Sequence, residues 1–247
     1  MTKEYGLVGH PLGHSFSAAF FTDKFNAEGI DAVYHNFDLP SIEGIKTLCQ
    51  THQDLCGFNV TIPYKQAIIP YLDVMSEEAQ RIGAVNVVRV VRNEHGEVHL
   101  EGYNSDIIGF CQSLSPLLSS DHQKALVLGT GGASKAIVHG LRQLGISSTL
   151  VSRTAKDGVI AYEDLTPEVM QTHLLVVNCS PLGMFPKVDA APNIPYELLT
   201  HKHICYDLVY NPEETLFMKR SAAQGAVVKN GLEMLHRQAL AAWEIWQ

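Results

Sequence analysis

The sequence predicts two α/β domains, each built from short apolar strands that alternate with helix-compatible segments. Such alternation is typical of parallel sheets, in which helices connect successive strands. A polar segment at 115–123 contains a proline and separates the two halves. Directly after it, an apolar strand runs into a glycine-rich turn and a helix, as in dinucleotide-binding domains.

Composition and charge narrow the class of protein. Of the 247 residues, 46% are hydrophobic, which is enough for two modest folded domains. A net charge of −8 opposes attraction to nucleic acid, and no apolar run reaches the roughly 18 residues that a bilayer span needs. The five cysteines are odd in number and lack CxxC spacing. We expect a cytoplasmic protein that binds a small molecule, without a nucleic-acid or membrane partner.

The first domain is predicted to span 1–114. Its strand patterns lie at 5–9, 32–39 and 57–62, followed by an antiparallel pair at 84–91 and 98–103. Its helix patterns lie at 17–28, at 41–49, from 65 to an interruption at Pro70, and at 104–114.

The second domain is predicted to span 115–228 and to have a Rossmann-type sheet. Its strand patterns lie at 124–128, 148–153, 173–180, 203–210 and 225–230. An amphipathic helix at 232–246 closes the chain. We expect the final segment, 229–247, to pack back on the first domain.

The glycine-rich turn is the predicted dinucleotide site. Gly129 permits a tight turn, and Gly131 lets backbone amides approach phosphates at the N-terminus of the following helix. The complete turn consists of Gly129, Thr130, Gly131, Gly132 and Ala133. The alternative is a strand–helix turn that merely needs flexible residues.

The end of the next strand favours NADP over NAD. An NAD enzyme presents Asp or Glu to the ribose hydroxyls there, whereas this sequence has Ser152, Arg153 and Thr154. The Arg153 guanidinium can receive a 2′-phosphate, and the two hydroxyls can add hydrogen bonds. The alternative is a solvated surface arginine.

Polar residues also mark the first domain. Ser15 and Ser17 carry hydroxyls on alternate residues that can grip a carboxylate, although either serine can instead cap a helix. Strand alternation places Asn59 and Thr61 on one side, opposite Val60 and Ile62.

Three further residues of this domain belong to short polar motifs. Lys65 follows the 57–62 strand, Asn86 lies among small apolar residues, and Asp106 lies at a helix start. A lysine after a strand is usually a solvated charge, and an acidic residue in a first turn usually stabilises the helix.

Taken in order, these strings resemble the shikimate dehydrogenase family over nearly the whole chain. The matching strings are the serine pair, NVTIPYK, GAVN, GYNSD, GTGGASKA, SRT, NCSPLGM, YDLVYNP and GLEMLHRQ. The resemblance implies that the first domain binds substrate and that Lys65 and Asp106 are the catalytic pair. It implies that Ser15 and Ser17 bind the substrate carboxylate, and that the ring is surrounded by Asn59, Thr61, Asn86, Tyr210 and Gln238. Leu208 and Gly231 are implied to offer backbone contacts near the nicotinamide.

The activity implied by this resemblance is the reversible NADPH-dependent reduction of 3-dehydroshikimate to shikimate by a monomer or homodimer. A quinate dehydrogenase of broader specificity is one alternative, but a second serine rather than threonine favours shikimate. A catalytically silent NADP-binding regulatory protein is another alternative. No metal is expected, because the histidine pair His10 and His14 flanks proline and glycine in a loop.

Overall fold

The computed structural model describes residues 2–13 and 15–247 and divides the chain into two compact units. The first unit comprises Met1–Ser105 and Ala239–Gln247, and the second comprises Asp106–Gln238. The helix at 106–114, which the sequence patterns placed with the first domain, therefore falls in the second unit. His14, half of the histidine pair, lies outside the described residues.

The first unit contains a mixed sheet with strand order β2-β1-β3-β5-β6-β4. The strands β1, β2 and β3 are parallel, while β5 is antiparallel to both β3 and β6. The strands are β1 (Lys3–Gly9), β2 (Ala32–Asp38), β3 (Leu55–Val60), β4 (Val74–Met75), β5 (Val87–Arg92) and β6 (Val98–Tyr103). The helices are α1 (Phe16–Glu28), α2 (Ile45–Thr51), α3 (Tyr64–Ala67) and α4 (Glu77–Ile82).

Local sequence explains where these elements begin and end. Ser15 caps α1, and Gly29 ends it in the left-handed conformation at φ 63°. The predicted strand at 57–62 ends early, because the chain turns after Val60 into α3. The expected alternation fails there: Ile62 was placed on the apolar side with Val60, but it is 76% exposed.

Apolar side chains cover both faces of the first sheet. On one face, Val8, Phe58 and Leu100 belong to a cluster with residues of α2. On the other, Tyr5 and Phe21 pack with Trp246 near the end of the chain. The Trp246 indole donates a hydrogen bond of 3.0 Å to the Val88 carbonyl, and a Cβ at Gly57 would lie 2.3 Å from the Trp246 ring. The C-terminal residues thus form part of the first core.

The second unit contains a parallel sheet with strand order β12-β11-β10-β7-β8-β9. The strands are β7 (Lys124–Leu128), β8 (Ser147–Ser152), β9 (Val159–Ala161), β10 (Leu175–Asn178), β11 (Ile204–Asp207) and β12 (Val227–Lys229). The helices are α5 (Asp106–Leu114), α6 (Gly132–Gln143), α7 (Pro167–Thr172) and α8 (Leu216–Ala222). The helix α9 (Leu232–Trp246) begins in this unit, and its residues from Ala239 onward belong to the first unit. Strand order reverses between β7 and β10, the point where open α/β sheets bind ligands at their carboxyl ends.

Helices cover both faces of this second sheet. On one face, Phe110 of α5 packs with Val127 of β7 and Ile137 of α6. On the other, Leu126 and Val176 pack with Phe217 of α8. Because both faces of this sheet are covered by apolar side chains, its strands appear in the sequence as continuous hydrophobic runs. Among the described residues, no helix has the length and apolar character needed to cross a membrane.

Candidate active site

A polar cluster lies in the first unit and contains three of the predicted substrate residues. The Tyr34 hydroxyl donates a hydrogen bond of 2.8 Å to Asn59 Oδ1, and the Ser17 hydroxyl hydrogen-bonds the same phenol. Asn59 Nδ2 donates to the Asn86 carbonyl at 3.4 Å. Tyr34 therefore links Ser17 at the start of α1 to Asn59 on β3.

The cluster continues through the side chain of Asn86. Asn86 Nδ2 donates to Ser105 Oγ at 3.1 Å, and the Ser105 amide donates to Asn86 Oδ1 at 2.7 Å. Asn59, Asn86 and Ser105 are all buried. These contacts fix the orientation of both amide side chains. We call Ser17, Tyr34, Asn59, Asn86 and Ser105 the first-unit polar cluster.

The cluster consists of amide and hydroxyl groups that are neutral at physiological pH. Burial raises the pKa of Tyr34, and its hydrogen bond with Ser17 lowers that pKa by a smaller amount. Tyr34 is thus held as a neutral phenol, with its proton available for the bond to Asn59. A neutral, rigid set of donors and acceptors suits the recognition of hydroxyl groups.

The other predicted residues of the first unit have identifiable backbone or capping roles. Ser15 accepts a hydrogen bond of 3.2 Å from the Ala18 amide, which confirms the helix-cap interpretation of this serine. The Thr61 carbonyl accepts from the Tyr64 amide, and the half-buried Lys65 accepts at its carbonyl from the Val85 amide at 2.7 Å. Lys65 is therefore anchored through its backbone, near the start of α3.

The glycine-rich turn has the geometry that the sequence predicts. Gly129 has φ 112°, a value that favours glycine, and its amide donates to the Val151 carbonyl. Gly131 precedes α6. Within the described residues, a Cβ at Gly131 or Gly132 would meet no atom within 4 Å. Thr130 and Ala133 are exposed as well, so backbone amides at this helix start face open space.

The segment after β8 supplies the predicted cation. Ser152 is the last residue of β8, and Arg153 and Thr154 follow with exposed side chains. Burial raises the pKa of the neighbouring Tyr162, while the Arg153 charge lowers it. The open glycine turn and the exposed guanidinium fit a dinucleotide with an additional phosphate.

The remaining predicted residues belong to the second unit. A Cβ at Gly231 would lie 2.2 Å from the Leu208 carbonyl oxygen, so only glycine permits this close approach. Tyr210 is 42% exposed, whereas Gln238 is buried and donates to the Leu235 carbonyl. Asp106 is the half-buried first residue of α5.

Sequence reasoning missed Tyr34, Asn178 and Asp207 as functional candidates. Asn178 and Asp207 are adjacent across β10 and β11, are fully buried, and share a hydrogen bond of 2.9 Å. Burial raises the Asp207 pKa to about 6, although three hydrogen bonds lower it in part. The sequence does contain one indication of Asp207, which is an acidic residue at the end of an apolar strand pattern.

Within the described part of the chain, no group of three or more His, Cys, Asp or Glu residues is arranged to hold a metal ion. His10 Nδ1 instead lies 2.6 Å from Asp38 Oδ1. The His10–Asp38 contact and the Asp38 bond to the Leu12 amide lower the pKa of the Asp38 carboxyl.

A doubly wound parallel sheet with a glycine turn at its switch point defines the second unit as the Rossmann-type domain of a dinucleotide-dependent dehydrogenase. The family model for the shikimate dehydrogenase substrate binding domain matches residues 7–88. The shikimate dehydrogenase (NADP(+)) of Caldanaerobacter subterraneus subsp. tengcongensis is 36% identical, over 99% of this chain and 91% of its own length. The chain belongs to the shikimate dehydrogenase family.

Solved structures agree with this membership. Shikimate 5-dehydrogenase from Thermus thermophilus, in complex with NADP(H) and shikimate, is 32% identical with a TM-score of 0.84, covering 99% of this chain and 93% of that one. Quinate dehydrogenase from Corynebacterium glutamicum, in complex with NAD, is 27% identical with a TM-score of 0.86, covering 100% of this chain and 94% of that one.

Proposed function

We propose that this chain is an NADP-dependent shikimate dehydrogenase that reversibly reduces 3-dehydroshikimate to shikimate. The observation that carries the proposal is the first-unit polar cluster, which joins Ser17, Asn59 and Asn86 by hydrogen bonds in a member of this family. All three are residues to which the family resemblance assigns substrate contacts. The Thermus thermophilus shikimate 5-dehydrogenase, which is similar to this chain over nearly its whole length, was solved in complex with NADP(H) and shikimate.

In this proposal the first unit recognises the substrate. The Ser15 and Ser17 hydroxyls bind the carboxylate; Ser15 can cap α1 through an oxygen lone pair and still donate its proton. Asn59, Thr61 and Asn86 bind ring hydroxyls, with Tyr34 and Ser105 holding the two amides in place. Tyr210 and Gln238 complete the substrate contacts.

In the second unit, the Gly129–Ala133 turn holds the pyrophosphate and Arg153, with Ser152 and Thr154, holds the 2′-phosphate. Leu208 and Gly231 contribute backbone contacts at the nicotinamide. When bound, NADPH supplies the hydride that reduces the carbonyl.

Lys65 and Asp106 handle the proton in this mechanism. The Lys65 ammonium stabilises and protonates the oxygen that becomes the shikimate hydroxyl, and it accepts that proton in the reverse direction. The family resemblance assigns the Asp106 carboxylate to the same catalytic pair. In this proposal, the residues that bind the substrate differ from the pair, Lys65 and Asp106, that handles the proton.

Quinate is the second candidate substrate, favoured by the similarity to the Corynebacterium glutamicum quinate dehydrogenase. Quinate shares the carboxylate and the three ring hydroxyls of shikimate and carries one more hydroxyl, so the same residues can serve it. A silent NADP-binding regulator is the candidate outside enzyme chemistry. A cytoplasmic location is part of the proposal, supported by the odd number of cysteines and the free thiol of each. A monomeric or homodimeric state completes the proposal.

The test is NADPH oxidation in the presence of 3-dehydroshikimate, and separately of 3-dehydroquinate, with NADH run in parallel. We expect the highest kcat/KM with 3-dehydroshikimate and NADPH. Equal or higher kcat/KM with 3-dehydroquinate would move the assignment to quinate. Tight NADPH binding without turnover of either compound would identify the silent regulator.

A further inference from the structure

We infer that Asp207 is a positioning residue whose buried carboxylate holds the loops after β10 and β11 in the shape that binds the nicotinamide half of the cofactor. The inference rests on the proposed NADP binding and assigns a role to a residue outside the predicted cofactor contacts. Asp207 ends β11 and is fully buried. Its position is the carboxyl edge of the sheet, beside the switch point.

Three donors converge on the Asp207 carboxylate. Oδ1 accepts from Asn178 Nδ2 at 2.9 Å and from the Val209 amide at 3.0 Å. Oδ2 accepts from the Thr215 hydroxyl at 2.6 Å. Asn178 and Thr215 are also fully buried. The carboxylate therefore joins the end of β10, the segment after β11 and the start of α8.

The first of these connections reaches the glycine-rich turn. Asn178 Oδ1, on the side chain that donates to Asp207, accepts from both the Ser180 amide at 3.0 Å and the Ser180 hydroxyl at 2.6 Å. Ser180 packs against the turn, since a Cβ at Gly129 would lie 3.3 Å from the Ser180 nitrogen. The Asp207–Asn178 pair thus fixes the loop that borders Gly129.

The second connection reaches the backbone assigned to the nicotinamide. The Leu208 amide donates to the Asn178 carbonyl at 3.0 Å, and the Gly231 amide donates to the Val209 carbonyl at 3.2 Å. Leu208 and Gly231 are in backbone contact, where any side chain at Gly231 would collide. A shift of Val209 would therefore displace both backbone segments together.

The chemistry of the Asp207 carboxylate explains how it would hold these loops in position. An ionised carboxylate accepts stronger hydrogen bonds than an amide oxygen, and its partners here lie at a strand end, in a loop and at a helix start. Loop backbone lacks the ladder of bonds that fixes a strand, so a buried anchor sets its position. Removal of the charge should loosen the loops while the sheet beneath them stays intact.

The experiment compares full-length wild type with Asp207→Asn by calorimetric titration with two ligands. NADP spans both halves of the proposed site, whereas adenosine 2′,5′-bisphosphate reaches only the part near Arg153. We expect Asp207→Asn to raise the Kd for NADP at least about 10-fold, because displaced binding groups lose affinity steeply. The Kd for adenosine 2′,5′-bisphosphate should change by less than about twofold, as expected for a distant site.

A matched control separates positioning from general stability. His203 is a buried polar residue just before β11, at the opposite end of that strand, where its Nε2 donates to the Met170 carbonyl at 3.1 Å. His203→Asn should lower Tm yet leave the NADP Kd unchanged. A second pair tests the same carboxylate through Thr215: Thr215→Val should weaken NADP binding, and Thr215→Ser should restore it.

The outcomes distinguish the two hypotheses. Failure of the wild type to bind NADP would overturn the proposed function. If the wild type binds NADP but Asp207→Asn binds it equally well despite a lowered Tm, the positioning role is wrong. If Asp207→Asn does not fold, the Thr215 pair decides: equal NADP Kd values for Thr215→Val and Thr215→Ser would also overturn the inference.

Discussion

The two units prepare their ligand sites by different physical means. In the first unit, the candidate binding groups are side chains, and neutral hydrogen bonds from Tyr34 and Ser105 fix the amides of Asn59 and Asn86. In the second, the candidate groups are mostly backbone amides and carbonyls, and one buried carboxylate, Asp207, ties their loops together.

The difference follows from what each ligand presents. A ring with several hydroxyls is distinguished by individually aimed donors and acceptors, which side chains supply. A pyrophosphate is bound well by main-chain amides at a helix start, provided that the turn is held in place. Substitutions in the first unit should therefore affect single contacts, whereas substitutions at the anchor of the second should affect whole loops.

The largest effect is expected at the proposed proton donor. Lys65→Ala should lower kcat by about 10²- to 10⁴-fold while the shikimate KM changes little, because the ammonium acts on charge that develops in the transition state. Steady-state kinetics measure both constants. Lys46→Ala, an exposed lysine on α2 of the same unit, is the control and should behave as wild type. A large KM rise with kcat intact would make Lys65 a binding residue.

Asp207 should give the stability of the second unit a distinct pH dependence. Its folded-state pKa, about 6, lies above the ordinary value of 3.8. Its favourable contribution is therefore complete below the ordinary value and is lost as pH rises through the folded-state value. The neighbouring Cys179 and Tyr196 stay neutral in this range, because burial raises the pKa of each.

The measurement is the free energy of unfolding of wild type minus that of Asp207→Asn. Between about pH 4 and pH 7 this difference should fall by on the order of 2–3 kcal/mol. The subtraction removes the titration of groups common to both proteins. A difference that stayed constant, or that grew with pH, would show that Asp207 is not held at a raised pKa.

Arg153 is the exception in the second unit, because it is a side chain proposed to bind one charged group, the 2′-phosphate. Arg153→Ala should cost about 1.5–3 kcal/mol of NADP affinity and leave NAD affinity nearly unchanged. The preference for NADP in kcat/KM should shrink by at least about tenfold. Arg142→Ala, in the last turn of α6, is the control. Equal losses for both cofactors would assign Arg153 to the fold.

The smallest effect is expected at Tyr34, which hydrogen-bonds the proposed substrate residue Asn59. Tyr34→Phe removes one donor to Asn59 and one partner of Ser17, and should cost about 0.5–1.5 kcal/mol in shikimate affinity. Tyr103→Phe, which removes a hydroxyl bonded to Glu101 in the same unit, is the matched control. If both variants bind shikimate like wild type, Tyr34 only stabilises the fold.

Most of the fold could be predicted from sequence because the patterns are local. Strand and helix alternation, the cap at Ser15 and the stop at Gly29 each depend on neighbouring residues. The strands β4 and β9 were missed, because two or three residues are too few to show periodicity. The packing of Phe110 against Val127 and Ile137 depends on contacts distant in sequence, which local patterns do not contain.

The candidate site also contains residues that local sequence patterns indicate and residues that depend on contacts distant in sequence. Residues in dense motifs, such as Asn59 and the Gly129 turn, can be proposed from sequence because the motif itself is recognisable. Tyr34 lies 25 residues from its partner Asn59, and Asp207 lies 29 from Asn178. In the sequence alone, each resembles an ordinary strand residue, because its partner lies on a different strand of the sheet. Supporting residues were therefore the ones that sequence reasoning could not find.

The proposed difference between the two units can be tested by separate calorimetric titrations of Tyr34→Phe and Asp207→Asn, each with shikimate and with NADP. We expect a crossed result, in which Tyr34→Phe weakens shikimate binding alone and Asp207→Asn weakens NADP binding alone. Equal weakening of both ligands in either variant would contradict it, because that residue would then act through the stability of the whole chain.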